Sequence, residues 1–329
     1  MRFQYAVANS SGDLTGRRLV PFYLVMAVVA PARSRVSRDR ATVIGAVAVM
    51  VCVWASAFVA IRFADRELSA GALALGRLLV GSAALGILVL ARRAPLPGRR
   101  ELAGIVVCGV LWFGVYNVAL NAAEQRVDAG TAAMLVNVGP ILIAILAGVI
   151  LREGFPPRLL AGCLVSFAGA VVIGVATSSH GLQDSWGAVL CLIAAAAYAG
   201  GVVAQKPVLR HASPLSVTWL ACTIGAISCL PYAGSLVHGI GHAGGATIAW
   251  MVYLGVAPTA LGFVLWAYAL ARTTAGRMGS TTYLVPPLAL LFGLAFLGEV
   301  PPALVFPGGA LCLAGVALAR TRSRRADLK

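Results

Sequence analysis

Long, uninterrupted apolar segments are the feature of this chain that most restricts how it can fold. From residue 41 onward, apolar segments of about 18–25 residues alternate with short polar stretches, and about 20 such residues are enough for a helix to cross a bilayer. Only helices and closed barrels satisfy the backbone hydrogen bonds inside lipid. The segments lack the two-residue alternation of a barrel strand. The sequence therefore predicts an all-α polytopic membrane protein.

The apolar pattern predicts ten transmembrane helices joined by short loops. The predicted spans are Ala41–Ile61, Ser69–Ala91, Leu102–Ala122, Gly130–Leu151, Arg158–Ala176, Ser185–Gln205, Leu215–Val237, Thr247–Ala271, Arg277–Leu297 and Ala303–Ala319.

The composition favours lipid over nucleic acid as the partner of this chain. Sixty per cent of its residues are apolar and 11% are charged, yet the formal net charge is +15. A basic protein often binds nucleic acid through a solvated charged face, but a chain this apolar has almost no polar surface to carry one. We therefore expect a lipid bilayer and a small-molecule substrate as partners, no nucleic acid, and leave a homodimer open.

The basic residues predict the orientation of the spans. With both termini in the cytoplasm, the inner segments hold 19 basic residues and the outer loops hold three, Arg62, Arg66 and Arg126. Such an excess follows the positive-inside tendency of membrane proteins. Compact loops and the excess of arginine over lysine favour a bacterial cytoplasmic membrane.

The N-terminal extension, residues 1–36, precedes the first span. Its arginine pair and apolar run Leu19–Ala30 resemble a signal peptide, but Pro21 interrupts the run. We favour a mis-annotated translation start over a signal peptide. A basic tail, residues 321–329, follows the last span.

The seven cysteines all lie within apolar segments, and none belongs to a Cys-x-x-Cys pair. They are expected to pack as small hydrophobic residues rather than to form disulfides or bind zinc. No cofactor and no metal site are predicted.

The chain repeats itself at a spacing of 146 residues. Pro140 matches Pro286 and Glu153 matches Glu299, and a weaker echo near the first and sixth spans has a spacing of 144 residues. Two halves of five spans result, residues 41–176 and 185–320. Because five is odd, the second half must enter the membrane with the opposite orientation. Inverted repeats of this kind are typical of secondary transporters, whose substrates bind near the midplane between the halves.

The second half contains four recognisable motifs: Tyr268-Ala-Leu-Ala-Arg-Thr-Thr-Ala-Gly276, Tyr283-Leu-Val-Pro-Pro287, Leu297-Gly-Glu299 and Gly308-Gly-Ala-Leu-Cys-Leu-Ala-Gly315. Together they resemble the EamA-type repeat of the drug/metabolite transporter superfamily. The first half carries the marks more loosely, with Gly139-Pro140 and Arg152-Glu153 in place of the more usual Glu-Pro and Gly-Glu. The resemblance implies ten helices, two EamA domains and a membrane carrier that most often exports amino acids or other small metabolites.

Arg77 is the single charged residue that the predicted spans place well inside the membrane. A buried arginine in lipid should face the bundle interior or a wet cavity. It is a candidate anchor for a substrate carboxylate, or alternatively a structural residue that caps backbone carbonyls. The substitution Arg77→Lys would partly separate the two roles, because an anchor for a carboxylate tolerates the point charge of lysine better than a bidentate structural clamp does.

Further polar and aromatic side chains are candidates for contact with the substrate. Those chosen are Trp54, Ser56, Tyr116, Asn117, Asn137, Tyr198, Gln205, Trp266, Tyr268, Thr282 and Tyr283. An apolar pocket with a few polar anchors is the usual pattern of a small-molecule site. Packing, or hydrogen bonding between helices, is the alternative for each of them, and for Asn121 it is preferred.

Pro140, Glu153, Pro286 and Glu299 are predicted to be structural. The prolines free backbone carbonyls near Val136 and around Thr282. The two glutamates are expected to cap helix ends at the turn into the next span.

The spans contain no Asp, Glu or His that would serve as a proton relay, so proton coupling stays open. The leading hypothesis is a secondary transporter, not an enzyme, that exports a small metabolite by alternating access. A carrier or flippase for sugar-linked or lipid-linked substrates is the alternative, and a membrane-embedded enzyme is less favoured because no catalytic set is visible.

Overall fold

The computed structural model describes residues 33–126, 135–177, 185–297 and 302–320. The chain divides into two units, Met1–Thr42 and Val43–Lys329, and apart from the first residues of α1 the features below belong to the second. The predicted N-terminal extension, apart from its last residues, and the predicted C-terminal tail lie outside the described residues, as does Glu299.

The described residues form helices and turns, and none of them forms a strand. The helices are α1 (Arg33–Ala64), α2 (Ala70–Arg92), α3 (Arg99–Cys108), α4 (Tyr116–Glu124), α5 (Gly139–Ile150), α6 (Pro157–Thr177), α7 (Ser185–Val208), α8 (Pro214–Ser228), α9 (Ala233–His242), α10 (Gly245–Leu254), α11 (Gly262–Arg272), α12 (Ala275–Ser280), α13 (Val285–Leu297) and α14 (Val305–Arg320). Two π-helical segments, Gly109–Val115 and Gly255–Leu261, join α3 to α4 and α10 to α11.

Seven helical segments of the described chain are long and apolar enough to cross a membrane. They cover the first, second, third, fifth, sixth, eighth and ninth predicted spans. The seventh is not one straight helix, because α8 and the segment Leu230–His242 meet at an angle of 53°. Pro231 lies in the 3-10 turn between them and cannot donate the hydrogen bond that would continue the helix. At the fourth and tenth predicted spans the helices are shorter, Gly139–Ile150 and Phe306–Ala319.

Many large apolar side chains point away from the helical core. Leu90, Val237 and Phe296 are each more than 70% exposed, as expected for side chains that face lipid tails rather than water. The protein is a multi-pass membrane protein.

Helix α2, which carries Arg77, has well-defined ends. Ser69 caps its N-terminus by accepting a hydrogen bond from the Ala72 amide (3.4 Å), a role for which serine is preferred. Arg93 ends the helix in the left-handed conformation, with φ of 46°. The two caps define where α2 begins and ends, and so where Arg77 lies along the helix.

Helices α6 and α14 pack closely through glycines. A Cβ atom added to Gly162 would lie 2.5 Å from the Gly315 carbonyl oxygen. Between the glycines, the Ser166 hydroxyl donates to the Cys312 carbonyl across 3.1 Å. Small residues at such positions let helix backbones approach and hydrogen-bond in lipid. Ser166 and Cys312 are 146 residues apart, so the two helices meet through residues separated by the repeat spacing.

The two π-helical segments are also 146 residues apart at both ends. Their carbonyls bond to side chains, because a π turn departs from the α-helical pairing. The Asn117 amide donates to the Trp112 carbonyl (3.3 Å) and to the Phe113 carbonyl (2.8 Å). The Trp54 indole donates to the Pro258 carbonyl (3.1 Å). Each segment lies against a helix of the other half, the first against α8 and the second against α2.

Candidate functional site

A cavity lies within the helical bundle and encloses about 970 Å³ of empty space, including its open part. The lining residues come from both halves: Trp54, Ala57, Phe58, Ile61, Arg77, Trp112, Tyr116, Asn117, Leu120, Glu124, Val136, Asn137, Pro140, Tyr198, Pro258, Phe263, Thr282, Val285 and Pro286.

Much of the cavity wall is formed by residues at corresponding positions of the two sequence repeats. Several lining residues are paired at 144 or 146 residues, namely Trp54 with Tyr198, Trp112 with Pro258, Asn117 with Phe263, Val136 with Thr282, and Pro140 with Pro286. Corresponding positions of the two halves therefore face the same space. This is the arrangement expected for a cavity at an interface between repeats.

Aromatic side chains close one side of the cavity. The Trp54 and Trp266 rings stack at 5.4 Å, and the Trp112 ring meets that of Phe263 at 4.8 Å and that of Trp266 at 5.1 Å. Such edge and offset contacts add to the free energy gained by burial. Trp266 itself is fully buried behind the cavity wall. We call Trp54, Trp112, Phe263 and Trp266 the aromatic floor.

Arg77 is buried in the cavity wall, with 7% of its surface exposed. Its Nε donates to the Thr259 hydroxyl, 3.0 Å away on the second π-helical segment. The Tyr116 hydroxyl is near enough to interact with the guanidinium electrostatically. The bond to Thr259 fixes the direction of the charge without neutralising it, so the cavity keeps a positively charged group.

Glu124 is a second charged residue of the cavity wall, and the sequence argument missed it. The predicted third span ends at Ala122, whereas the helix runs on to Glu124. Arg77 remains the charged residue well inside a predicted span, and Glu124 adds a second charge to the cavity wall from the end of its helix. A signal was present, because Asn117, Asn121 and Glu124 recur at intervals of four and three residues and so share one helical face.

Seven of the predicted substrate contacts line the cavity together: Trp54, Arg77, Tyr116, Asn117, Asn137, Tyr198 and Thr282. Pro140 and Pro286 line it as well. The Asn117 amide is engaged by carbonyls of its own span, and its side chain therefore also stabilises the first π-helical segment.

The other predicted contacts lie outside the cavity wall. The Ser56 hydroxyl is 2.6 Å from that of Tyr253, and the Tyr283 hydroxyl donates to the Asn137 carbonyl (3.0 Å). Tyr268 packs under the guanidinium of Arg272. Gln205 and Trp266 are fully buried.

Glu153 caps a helix, but not the one that the sequence argument assigned to it. Its carboxylate accepts hydrogen bonds from the amides of Ala275 (2.9 Å) and Gly276 (3.3 Å) at the start of α12. The expected turn into the next span, toward α6, was therefore wrong. A helix N-terminus attracts an anion wherever the fold brings one, and here the carboxylate comes from the other half of the chain.

Lys206 binds the residues that come just before α12. Its ammonium group donates to the carbonyls of Leu270 (2.6 Å) and Thr273 (2.5 Å) at the end of α11. Lys206 thus hydrogen-bonds to the end of α11, and Glu153 hydrogen-bonds to the start of α12. We call this arrangement the turn clamp.

Glu67, in the loop between α1 and α2, makes another contact between the halves. Its carboxylate accepts a hydrogen bond from the Gly244 amide (2.8 Å) at the start of α10. This bond, assisted by Thr247, lowers the pKa of Glu67 below its ordinary value. In the same loop, burial raises the pKa of Asp65, although Arg66 and Arg62 oppose the shift.

The membrane-spanning helices thus enclose a cavity whose wall is mainly apolar and carries few polar groups. A scan of family models finds the EamA-like transporter family twice, at residues 41–175 and 185–321. The chain belongs to this family.

Similar proteins agree with that membership. A probable terminal-alkyne amino-acid exporter of Streptantibioticus cattleyicolor is 40% identical over 287 residues, which are 86% of this chain and 95% of the relative. A probable amino-acid metabolite efflux pump of Salmonella typhimurium is 26% identical, over 62% of this chain and 71% of the pump. One solved crystal structure matches with a TM-score of 0.70 at 20% identity, covering 87% of this chain and 98% of that one, and so shares the fold.

Proposed function

We propose that this protein exports a small metabolite, an amino acid or a close relative, across the bacterial cytoplasmic membrane. In this proposal ten spans form two inverted halves with both termini in the cytoplasm, and alternating access between the halves moves the substrate. Arg77 binds the substrate carboxylate. The observation that carries the proposal is a cavity lined by corresponding residues of both halves, with a buried arginine in its wall.

An unpaired polar group within the aromatic floor supports a second conformation. The Trp266 indole nitrogen is buried without a hydrogen-bond partner among the described residues. Leaving a buried polar group unpaired costs about 1–3 kcal/mol. A conformation in which the aromatic floor parts would expose this nitrogen and recover that free energy, as alternating access requires.

The names of two relatives support the substrate class and the direction. The Streptantibioticus relative is called an amino-acid exporter and the Salmonella relative an amino-acid metabolite efflux pump. Both names fit a site that combines one cation with mainly apolar walls.

Efflux from preloaded proteoliposomes tests the proposal. Vesicles that hold the purified protein are loaded with one radiolabelled amino acid at a time, and release is followed with and without a pH gradient. We expect release of at least one amino acid above protein-free vesicles, and a loss of more than tenfold in Arg77→Gln. Release no faster than in protein-free vesicles across the whole panel would contradict the proposal. Dependence on the pH gradient would indicate proton coupling.

A further inference from the structure

Two charged residues break the symmetry of an otherwise repeated cavity wall. At the spacing of 144 residues, Arg77 corresponds to Ala221, and at 146 residues Glu124 corresponds to Leu270. Ala221 and Leu270 are both fully buried apolar residues. The first half therefore contributes one cation and one anion to the cavity, and the second half contributes neither at the matching positions.

The two charges lie at different depths of the same cavity. The Asn121 amide donates to the Ala70 carbonyl (3.1 Å), which fixes the last turn of α4 beside the first turn of α2. Arg77 follows Ala70 by seven residues, or about 10 Å along α2. Glu124 lies beyond Asn121 at the end of α4, so the anion is near the helix ends and the cation is deeper in the bundle.

The charges face the cavity without neutralising each other. Both side chains line it, and they interact electrostatically, but among the described residues Arg77 and Glu124 form no ion pair with each other. The Arg77 Nε is held by Thr259 instead. Separated charges in a site of low dielectric are costly unless a ligand of opposite polarity bridges them.

We infer that the cavity binds the zwitterionic form of an α-amino acid, with the carboxylate on Arg77 and the ammonium group on Glu124. The substrate side chain then lies against the apolar wall, which includes Trp54, Trp112 and Phe263. An uncharged, apolar side chain suits that wall. This inference rests on the proposed function and adds Glu124 as the residue that selects for the ammonium group.

Analogues that each lack one charge test this inference. L-norvaline carries both charges, pentanoate lacks the ammonium group, and butylamine lacks the carboxylate, while all three keep the same alkyl chain. Binding to the full chain in detergent is measured as the shift in thermal unfolding temperature over a concentration series. We expect norvaline to bind at least tenfold more tightly than either analogue.

Variants assign each charge to its partner. In Glu124→Gln, the preference for norvaline over pentanoate should fall about tenfold while the preference over butylamine persists. Arg77→Gln should do the reverse. Glu101→Gln is the control, since it removes a carboxylate from the other end of the same span. Glu124→Asp keeps the charge and should retain the preference over pentanoate if Glu124→Gln does not fold.

The outcomes separate this inference from the proposed function. Equal binding of norvaline and pentanoate by the unmodified protein would overturn the inference, even if amino acids are released from vesicles. A Glu124→Gln protein that keeps the preference over pentanoate but loses any response to a pH gradient would overturn it too, because Glu124 would then carry a proton. Selective norvaline binding without release from vesicles would support the inference and contradict the export function.

Discussion

The hydrogen bond between Arg77 and Thr259 determines where the positive charge of the cavity points. Arg77 comes from α2 and Thr259 from the second π-helical segment, so the bond also joins the two halves. Thr259 is 1% exposed, and a hydrogen bond to a charged group that is shielded from water contributes about 1.5–3 kcal/mol.

Thr259→Val removes this bond with little change in volume. We expect the concentration of amino acid that gives half-maximal efflux to rise about tenfold, because the guanidinium then loses its fixed direction. Thr281→Val is the matched control, since that hydroxyl is also buried but bonds to the Met278 carbonyl, three residues earlier in the same half. Equal effects of the two substitutions would show that Thr259 does not position Arg77.

Sequence reasoning identified Arg77 because an arginine within an apolar run stands out against its neighbours. Glu124 did not stand out, because it lies at the end of its span, where the sequence alone cannot distinguish it from a charged residue of the following loop. Whether a terminal charge turns into a cavity or toward water depends on the packing of other helices. Here that packing depends on the bond from Asn121 to Ala70, which joins segments far apart in the chain.

The close approach of Gly162 to Gly315 could not be predicted from the sequence, because it depends on how α6 and α14 pack against each other. Gly162→Leu would push a side chain into the Gly315 carbonyl, which already lies 2.5 Å from an added Cβ. Overpacking of this kind costs about 1–3 kcal/mol. We therefore expect a lower unfolding temperature and a smaller monodisperse peak in detergent.

Gly45→Leu is the control for this substitution, because an added Cβ there meets nothing within 4 Å. It should leave both measurements close to those of the unmodified protein. If Gly162→Leu behaves in the same way, the close approach of α6 and α14 does not contribute to stability.

The π-helical segments could not be predicted from the sequence. Gly109–Val115 and Gly255–Leu261 have the apolar composition of any span, and the second contains Pro258, which would ordinarily predict only a kink. The side chains that satisfy their carbonyls include Trp54, which is distant in sequence. The pattern of 3.6 residues per turn carries no information about such a partner.

The turn clamp joins the two halves of the molecule, because Glu153 belongs to the first and α12 to the second. Glu153→Gln and Lys206→Met each remove charge-assisted hydrogen bonds from the turn between α11 and α12. We expect amide hydrogen exchange in residues 272–280 to accelerate at least tenfold in each variant, since local opening becomes less costly.

Hydrogen exchange read by mass spectrometry measures this effect peptide by peptide. Glu101→Gln, which makes the same change of charge away from the turn, should leave residues 272–280 unchanged. If exchange in this segment is as slow in both clamp variants as in the unmodified protein, the turn is held by other contacts.

The hydrogen bond between Glu67 and Gly244 also joins the two halves, and its strength depends on pH. Because the pKa of Glu67 is lowered in the folded protein, this bond stabilises the fold above the ordinary pKa of glutamate, about 4.5. The stabilisation is lost as pH falls through the lowered value. Glu67→Gln removes the charge at every pH.

The unmodified protein and Glu67→Gln should therefore differ in hydrogen exchange near residues 244–248 at pH 7 and become alike once the pH falls below the lowered pKa of Glu67. Comparing the two proteins at each pH cancels the intrinsic pH dependence of exchange. A difference that persists unchanged in acid would show that the carboxylate is not responsible.

The paired π-helical segments also carry information about the history of the chain. A π turn accommodates one residue more than an α turn, so each segment corresponds to a single-residue insertion in a helix. The two insertions occupy matching places, 146 residues apart. Copying one interrupted helix into both halves would leave two such segments at the repeat spacing.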